Sequence, residues 1–312
     1  MKYVQDLREG ENVSQVFLCK NKQALRTRAG KTYYSLQLQD KTGQLDAKIW
    51  DLGSGIDHFE SMDYIHVEGQ VVIFQSAPQL NIFRVRRAQE GEYDPADYMP
   101  VSEKSIPDMK ALLGKYVASV KDPYLNALLH AFFDDEEFLR EFSLHSAAKS
   151  VHHSFMGGLI EHTLNVTRNA DYMARYYPFL KRDLLITSAL LHDIGKVREL
   201  SDLPENDYTD AGNMLGHIYI GAEMIHDKIA GIPDFPKTLE EELKHCILAH
   251  HGEYEFGSPK RPELAEALAL HMADNLDAKM ETFYELLKNA DDEGDWLGYQ
   301  KLFDAPMRKT TL

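Results

Sequence analysis

The sequence predicts a multidomain α+β chain: an N-terminal all-β barrel followed by an all-α domain. Three observations carry this. Strand-like alternation of apolar residues is confined to the first ninety positions, and apolar residues recur at three- and four-residue spacings from Met109 onward. Ten of the fourteen histidines lie between His152 and His271. With 312 residues, 44 % hydrophobic and 27 % charged, the chain has the length of about two globular domains.

Five segments in front read as strands: NVSQVFLCKN, TYYSLQLQD, GQLDAKIWD, YIHVEGQVVIFQ and PQLNIFRVRR. Asp40-Lys41-Thr42-Gly43 is a hairpin turn, and it sets Tyr34, Leu36 and Leu38 in register with Leu45, Ala47 and Ile49 for one buried face. Gly69 falls inside a strand, where a closing barrel needs a sharp bend. Five short strands with these turns fit an OB-like barrel over residues 1–90.

That stretch carries 12 Lys+Arg against 11 Asp+Glu, while the other 222 residues hold 22 against 39, or −17 of the total −16. An acidic chain is a poor long-range partner for nucleic acid, because phosphate affinity comes from Lys and Arg. The front part escapes this objection. It interleaves cations with rings: Lys20, Lys22, Arg26, Arg28 and Lys31 precede Tyr33, Trp50 ends a later strand, and Phe83 and Arg84 stand in the last. Single-stranded nucleic acid is bound by such combinations. Lys20, Arg26, Arg28, Tyr33, Trp50 and Arg84 are therefore the candidate contacts here.

Residues 91–145 read as linker and connecting helices, since Pro95, Pro100 and Pro107 stand among acidic residues before helical periodicity begins. Residues 146–312 form the predicted helical domain. Within it, metal-binding side chains punctuate apolar runs: His162 in HHSFMGGLIEHTLNV, His192 and Asp193 in LLITSALLHDIGK, His217 in GHIYIGAEMI, His250 and His251 in LKHCILAHHG, and Asp274 in LALHMADNLDAKM. A single buried histidine is usually a satisfied core residue. Five of them with two aspartates at the ends of separate apolar helices point to first-row divalent metals, because a buried carboxylate beside imidazole needs compensation. His226, His245 and His271 suit the helical faces poorly as ligands, although His271 and Asp277 share a face with Asp274.

In order and spacing, His162, then LLHDIGK, His217, LAHHG and Asp274 resemble the HD superfamily of metal-dependent phosphohydrolases, in the version that holds two metals. Together with the OB-like front, GGLIEHT, LLHDIGK, GHI, LAHHG and MADNLDAKM resemble the bacterial YhaM family of 3′-to-5′ exoribonucleases over nearly the whole chain. The resemblance implies that His162, His192, Asp193 and Asp274 hold one metal, and that Asp193 bridges to a second held by His217 and His250. Adjacent helical residues point about 100° apart, so one of His250 and His251 is expected to ligate and the other to face the substrate; the spacing leaves open which, and His250 is taken as the ligand and His251 as the substrate-side group. Lys196 is expected at a helix end, aimed at a phosphate, and His153, with His152, near the site mouth in contact with nucleic acid.

The activity so implied is hydrolysis of single-stranded RNA, with single-stranded DNA as a second substrate, to nucleoside 5′-monophosphates. Asp193, Lys196 and His251 are the catalytic candidates. The resemblance also implies manganese or cobalt in preference to magnesium, with iron or zinc as alternatives, and the histidine-rich set agrees because magnesium prefers oxygen ligands. The alternative is a phosphohydrolase of the same superfamily acting on a small nucleotide. With two cysteines and no apolar leader or span, a cytoplasmic protein without membrane contact is expected, and a homo-oligomer is compatible with the helical domain.

Overall fold

A computed structural model describes residues 1–75, 77–99, 101–149, 153, 155–288, 290 and 294–311. Pro100 and His152 lie outside the described residues. The chain divides into two compact units, Met1–Val101 with Leu203–Glu205, and Ser102–Asp202 with Asn206–Leu312.

In the first unit the five expected strands form: β1 (Asn12–Arg26), β2 (Thr32–Asp40), β3 (Gly43–Ile49), β4 (Tyr64–Phe74) and β5 (Ala77–Arg87). They close into a barrel in the order β1-β2-β3-β5-β4, with β3 and β5 parallel, as in an OB fold. The hairpin register is the one the alternation predicts, pairing Tyr34 with Ile49, Leu36 with Ala47 and Leu38 with Leu45. Those side chains and Phe17, Phe59, Ile65, Val67 and Leu80 fill the interior. At the turn, Asp40 Oδ1 accepts from Thr42 N at 2.7 Å.

The bend at Gly69 has a steric cause, since a Cβ there would stand 2.6 Å from the Asn81 carbonyl. The β4–β5 register shifts at that point, and the bulge leaves both Phe83 and Arg84 facing solvent. The acidic, proline-bearing stretch after β5 departs from the linker expectation. Tyr98 and Met99 are buried against Val16 and Leu18, and Tyr93 stacks on Tyr64 at 3.9 Å, so apolar residues spaced among its charges cover the outside of β1 and β4.

The second unit begins with α1 (Ile106–Ser119), α2 (Pro123–Phe133) and α3 (Glu136–Leu144). Ser105, Asp122 and Asp135 cap these helices by accepting from backbone N–H groups in the first turn. There follow α4 (Gly158–Tyr176), α5 (Arg182–Leu191), α6 (Lys196–Glu199), α7 (Asp210–Ile229), α8 (Lys237–Ala249) and α9 (Ala265–Lys288). From Leu184 to Leu191 every residue of α5 is buried, as its unbroken apolar run requires.

The all-α expectation needs one correction. β6 (Trp296–Gln300) and β7 (Ala305–Arg308) form a C-terminal hairpin, too short for its alternation to stand out in the sequence. Among the described residues no helix is long and apolar enough to cross a membrane.

Candidate metal centre

α5 runs through the core and delivers His192 and Asp193 at its C-terminal end, both buried to within 2 %. Around them α4 contributes His162, α7 His217, the end of α8 His250 and His251, and α9 Asp274. Backbone approach fixes the α7 contribution. A Cβ at Gly195 would collide with the His217 carbonyl, and Gly216 adopts φ 74° and ψ 155°, a kink in α7 that a side chain would strain.

The two carboxylate oxygens of Asp193 face two different sets of donors. Oδ2 lies 3.4 Å from His162 Nε2 and 3.3 Å from His192 Nε2, and Asp274 Oδ1 is 3.1 Å from that His162 nitrogen. Oδ1 lies 3.5 Å from His217 Nε2 and 3.8 Å from His250 Nε2. Ligands about 2.1 Å from a common ion stand about 3.0–3.4 Å apart, so both sets are near coordination spacing. His217, His250 and His251 also bring one ligand atom each within 4.8 Å of one another.

Each imidazole is oriented by its other nitrogen. His192 Nδ1 donates to the Ala189 carbonyl at 2.9 Å, His250 Nδ1 to Ile247 at 2.7 Å and His251 Nδ1 to Phe256 at 2.8 Å. A carbonyl only accepts, so the Nδ1–H tautomer is fixed and the Nε2 lone pair is left for the centre. His162 and His217 instead donate to carboxylates, Asp277 Oδ2 at 2.7 Å and Glu199 Oε1 at 2.9 Å. This carboxylate–histidine arrangement orients a metal ligand and raises its basicity. Asp193 Oδ1, His217 Nε2 and His250 Nε2 are buried polar atoms with no hydrogen-bond partner among the described residues, the condition that a bound cation relieves.

The charges agree. Burial pushes His250 well below the usual imidazole value, helped by His251 and His192, so it is neutral. Burial acts the same way on His162, but hydrogen bonds to Asp193, Asp274 and Asp277 outweigh it and raise that imidazole. Burial opposes ionisation of Asp193, yet Lys196 and His192 hold it well below the carboxylate range. Asp274 is lowered despite its burial, chiefly by the hydrogen bond from His162.

Two sequence expectations change. Lys196 is not at the end of a long helix: α5 stops at Leu191, and Lys196 opens the short α6, its ammonium 2.7 Å from Asp193 Oδ2. His153 cannot reach nucleic acid, being 0 % exposed with Nε2 3.0 Å from Asp277 Oδ2. Of the two supporting carboxylates, Asp277 was already placed on the face of Asp274 by the sequence, whereas Glu199 was not singled out, and its signal was the three-residue spacing from Lys196. His271 Nδ1 donates to the His250 carbonyl at 2.9 Å, whereas His226 pairs with Glu240 and His245 accepts from Glu263 N.

On the barrel, Tyr33 and Trp50 stack at 4.7 Å, with Trp50 45 % exposed, and Arg26 and Arg28 are exposed around the β1–β2 turn. Lys20 is half-buried at the β1 irregularity, at the other end of the β1–β2 ladder from Tyr33. Arg84 is exposed and 3.8 Å from Glu68.

A buried, histidine-rich centre with a shared aspartate on a helical scaffold defines an HD-type domain, the class of metal-dependent phosphohydrolases, and the HD domain family matches residues 159–279. The chain is 35 % identical to the 3′-5′ exoribonuclease YhaM of Bacillus velezensis, over 87 % of this chain and 86 % of that one. The YhaM proteins of Listeria monocytogenes and Bacillus subtilis are 33 % and 34 % identical, covering 91 % and 87 % of this chain and 90 % and 86 % of theirs. The chain belongs to the YhaM family of 3′-5′ exoribonucleases.

Proposed function

We propose that this protein removes nucleotides from the 3′ end of single-stranded RNA, releasing nucleoside 5′-monophosphates, with two divalent ions per chain. The observation that carries the reading is Asp193, whose two oxygens each face a separate donor set in the core of the helical unit. His162, His192, Asp193 and Asp274 suit one ion, and Asp193, His217 and His250 a second. Manganese or cobalt fits this nitrogen-rich set better than magnesium. Such ions supply Lewis-acid activation of water and charge neutralisation at a phosphodiester.

The chain's own residues have distinct tasks. His251 is half-buried beside the fully buried His250, so it offers the substrate-side imidazole, and burial keeps it neutral and able to accept a proton. The Lys196 ammonium, 2.7 Å from Asp193 Oδ2, would face the phosphate of a substrate seated at this centre. Asp277 and Glu199 hold His162 and His217 in place. The barrel supplies affinity for a single strand through Tyr33, Trp50, Arg26 and Arg28, and β2 and β3 are the strands that OB folds use for oligonucleotides. Single-stranded DNA is a second substrate by the same contacts.

The test is a time course on 5′-labelled single-stranded RNA with manganese, beside a His192→Ala, Asp193→Ala double variant and a chelator control. A ladder shortening from the 3′ end, absent from both controls, is expected. Intact RNA with metal-loaded wild-type protein overturns the reading, and turnover of mononucleotides alone would assign a small-nucleotide phosphohydrolase instead.

A further inference from the structure

The turn that follows α8, residues 251–262, begins with His251 and reads HGEYEFGSPKRP. It is short and firmly anchored. The buried Ser258 has its Oγ 3.0 Å from the Leu248 carbonyl and 2.7 Å from the Lys260 carbonyl, and Glu263 N donates to His245 on α8 at 2.9 Å. Gly257 takes the left-handed conformation, φ 81°, that closes the turn. The Phe256 carbonyl accepts from His251 Nδ1, so the backbone of this turn sets the angle of a metal-centre imidazole.

On this anchored turn two large rings face solvent, Tyr254 at 61 % exposure and Phe256 at 64 %. A lone exposed ring is ordinary. Here the rings alternate along a rigid segment that starts at the metal centre, and cations accompany them. The Arg261 guanidinium lies 5.1 Å from the centre of the Tyr254 ring and 2.8 Å from Glu253, and Lys260 is exposed beside it. Rings backed by Arg or Lys, with low conformational freedom, are the chemistry that stacks nucleobases without regard to sequence.

We propose that Tyr254 and Phe256 hold the base of the 3′-terminal nucleotide, setting the scissile bond at the metal centre, with Lys260 and Arg261 beside the flanking phosphates. This rests on the exoribonuclease reading and adds to the barrel a second, end-specific base contact. It also supplies a reason for one nucleotide being removed at a time, since a seated terminal base fixes the distance to the first phosphodiester.

Two 5′-labelled RNAs of identical sequence, one ending in a normal nucleotide and one in an abasic ribose, separate this from other roles of the turn. With subsaturating RNA and manganese, wild-type protein is expected to remove the abasic end about 5- to 150-fold more slowly, the range for one stacked base. Tyr254→Ala and Phe256→Ala should bring the two rates together, and Phe256→Trp should restore the difference. Equal wild-type rates on both ends, or discrimination that survives the alanine variants, would overturn the proposal. So would loss of bound manganese in the alanine variants, because the turn would then serve only to support His251. If wild-type protein shortens neither RNA, the exoribonuclease reading fails as well, a result distinct from shortening both at one rate.

Discussion

Replacing Asp277 by asparagine tests the metal centre without touching a proposed ligand. Its Oδ2 accepts from His162 Nδ1 at 2.7 Å and from His153 Nε2 at 3.0 Å, so one oxygen holds two imidazoles. Burial opposes its ionisation, but the hydrogen bonds from His153 and His162 prevail and hold the carboxyl below its ordinary range, so the group is charged. Asparagine keeps an oxygen at that place and removes the charge. Two charge-assisted hydrogen bonds, each about 1.5–3 kcal/mol, become neutral ones of about 0.5–1.5 kcal/mol, a loss of about 2–3 kcal/mol in all. Part of this falls on folding and part on the basicity of His162, and the metal share corresponds to about 10- to 100-fold weaker affinity. The assay is RNA turnover across a series of chelator-buffered manganese concentrations. The half-activation point should move up by that factor, and saturating manganese should restore most of the rate. An unchanged half-activation point, or a loss that manganese does not restore, would refute the role assigned to Asp277.

Other consequences are open to measurement. Gly195→Ala places a Cβ against the His217 carbonyl, so α6 and α7 must separate; the variant should melt at lower temperature and lose manganese affinity together, as calorimetry with and without metal would register. Manganese at a hundred times its dissociation constant should stabilise the wild-type protein in chemical unfolding by about 2.7 kcal/mol for each bound ion, about 5.4 kcal/mol for two, and Asp193→Asn should remove most of that gain. Trp50→Ala should weaken RNA binding by about 5- to 150-fold. Substituting Arg26 and Arg28 by alanine should reduce the salt slope of that binding by about 1.4, and fluorescence anisotropy at several salt concentrations measures both. Burial raises the thiols of Cys19 and Cys246 to about 12, while in the unfolded chain they ionise near the ordinary value of about 8.5. Because their folded values are raised, their contribution is complete below about pH 8.5 and is lost as pH climbs toward 12; Cys→Ala variants should flatten that alkaline limb in denaturant titrations.

The barrel was legible in the sequence because its signals are local. Alternation from Tyr34 to Ile49 sets both face and register, and Gly69 marks the bend, each within a few residues of its effect. The candidate metal ligands were equally visible as residue types, since a His-Asp pair closing an apolar run has no inexpensive burial without a partner. Their division into two sets came from the family resemblance alone. It depends on the direction in which each oxygen of Asp193 points after five helices have packed, and no spacing encodes that.

The same limit explains what was misplaced. His153 precedes the His162 helix and reads as a surface histidine until the fold brings Asp277, 124 residues away, against it. Lys196 follows an apolar helix and reads as its end until the turn at His192–Gly195 starts a new one, with the ammonium on Asp193. Tyr98 and Met99 sit among acids and prolines, and only the closed barrel offers the apolar surface that buries them. Sequence by itself determined which segments before the C-terminal hairpin are strands or helices and which side chains are candidates for metal chemistry, because those follow from periodicity and from the cost of burying charge. Tertiary structure alone decided which imidazole backs which carboxylate, which lone pairs converge and which rings remain in water, because these are set by contacts between residues far apart in the chain.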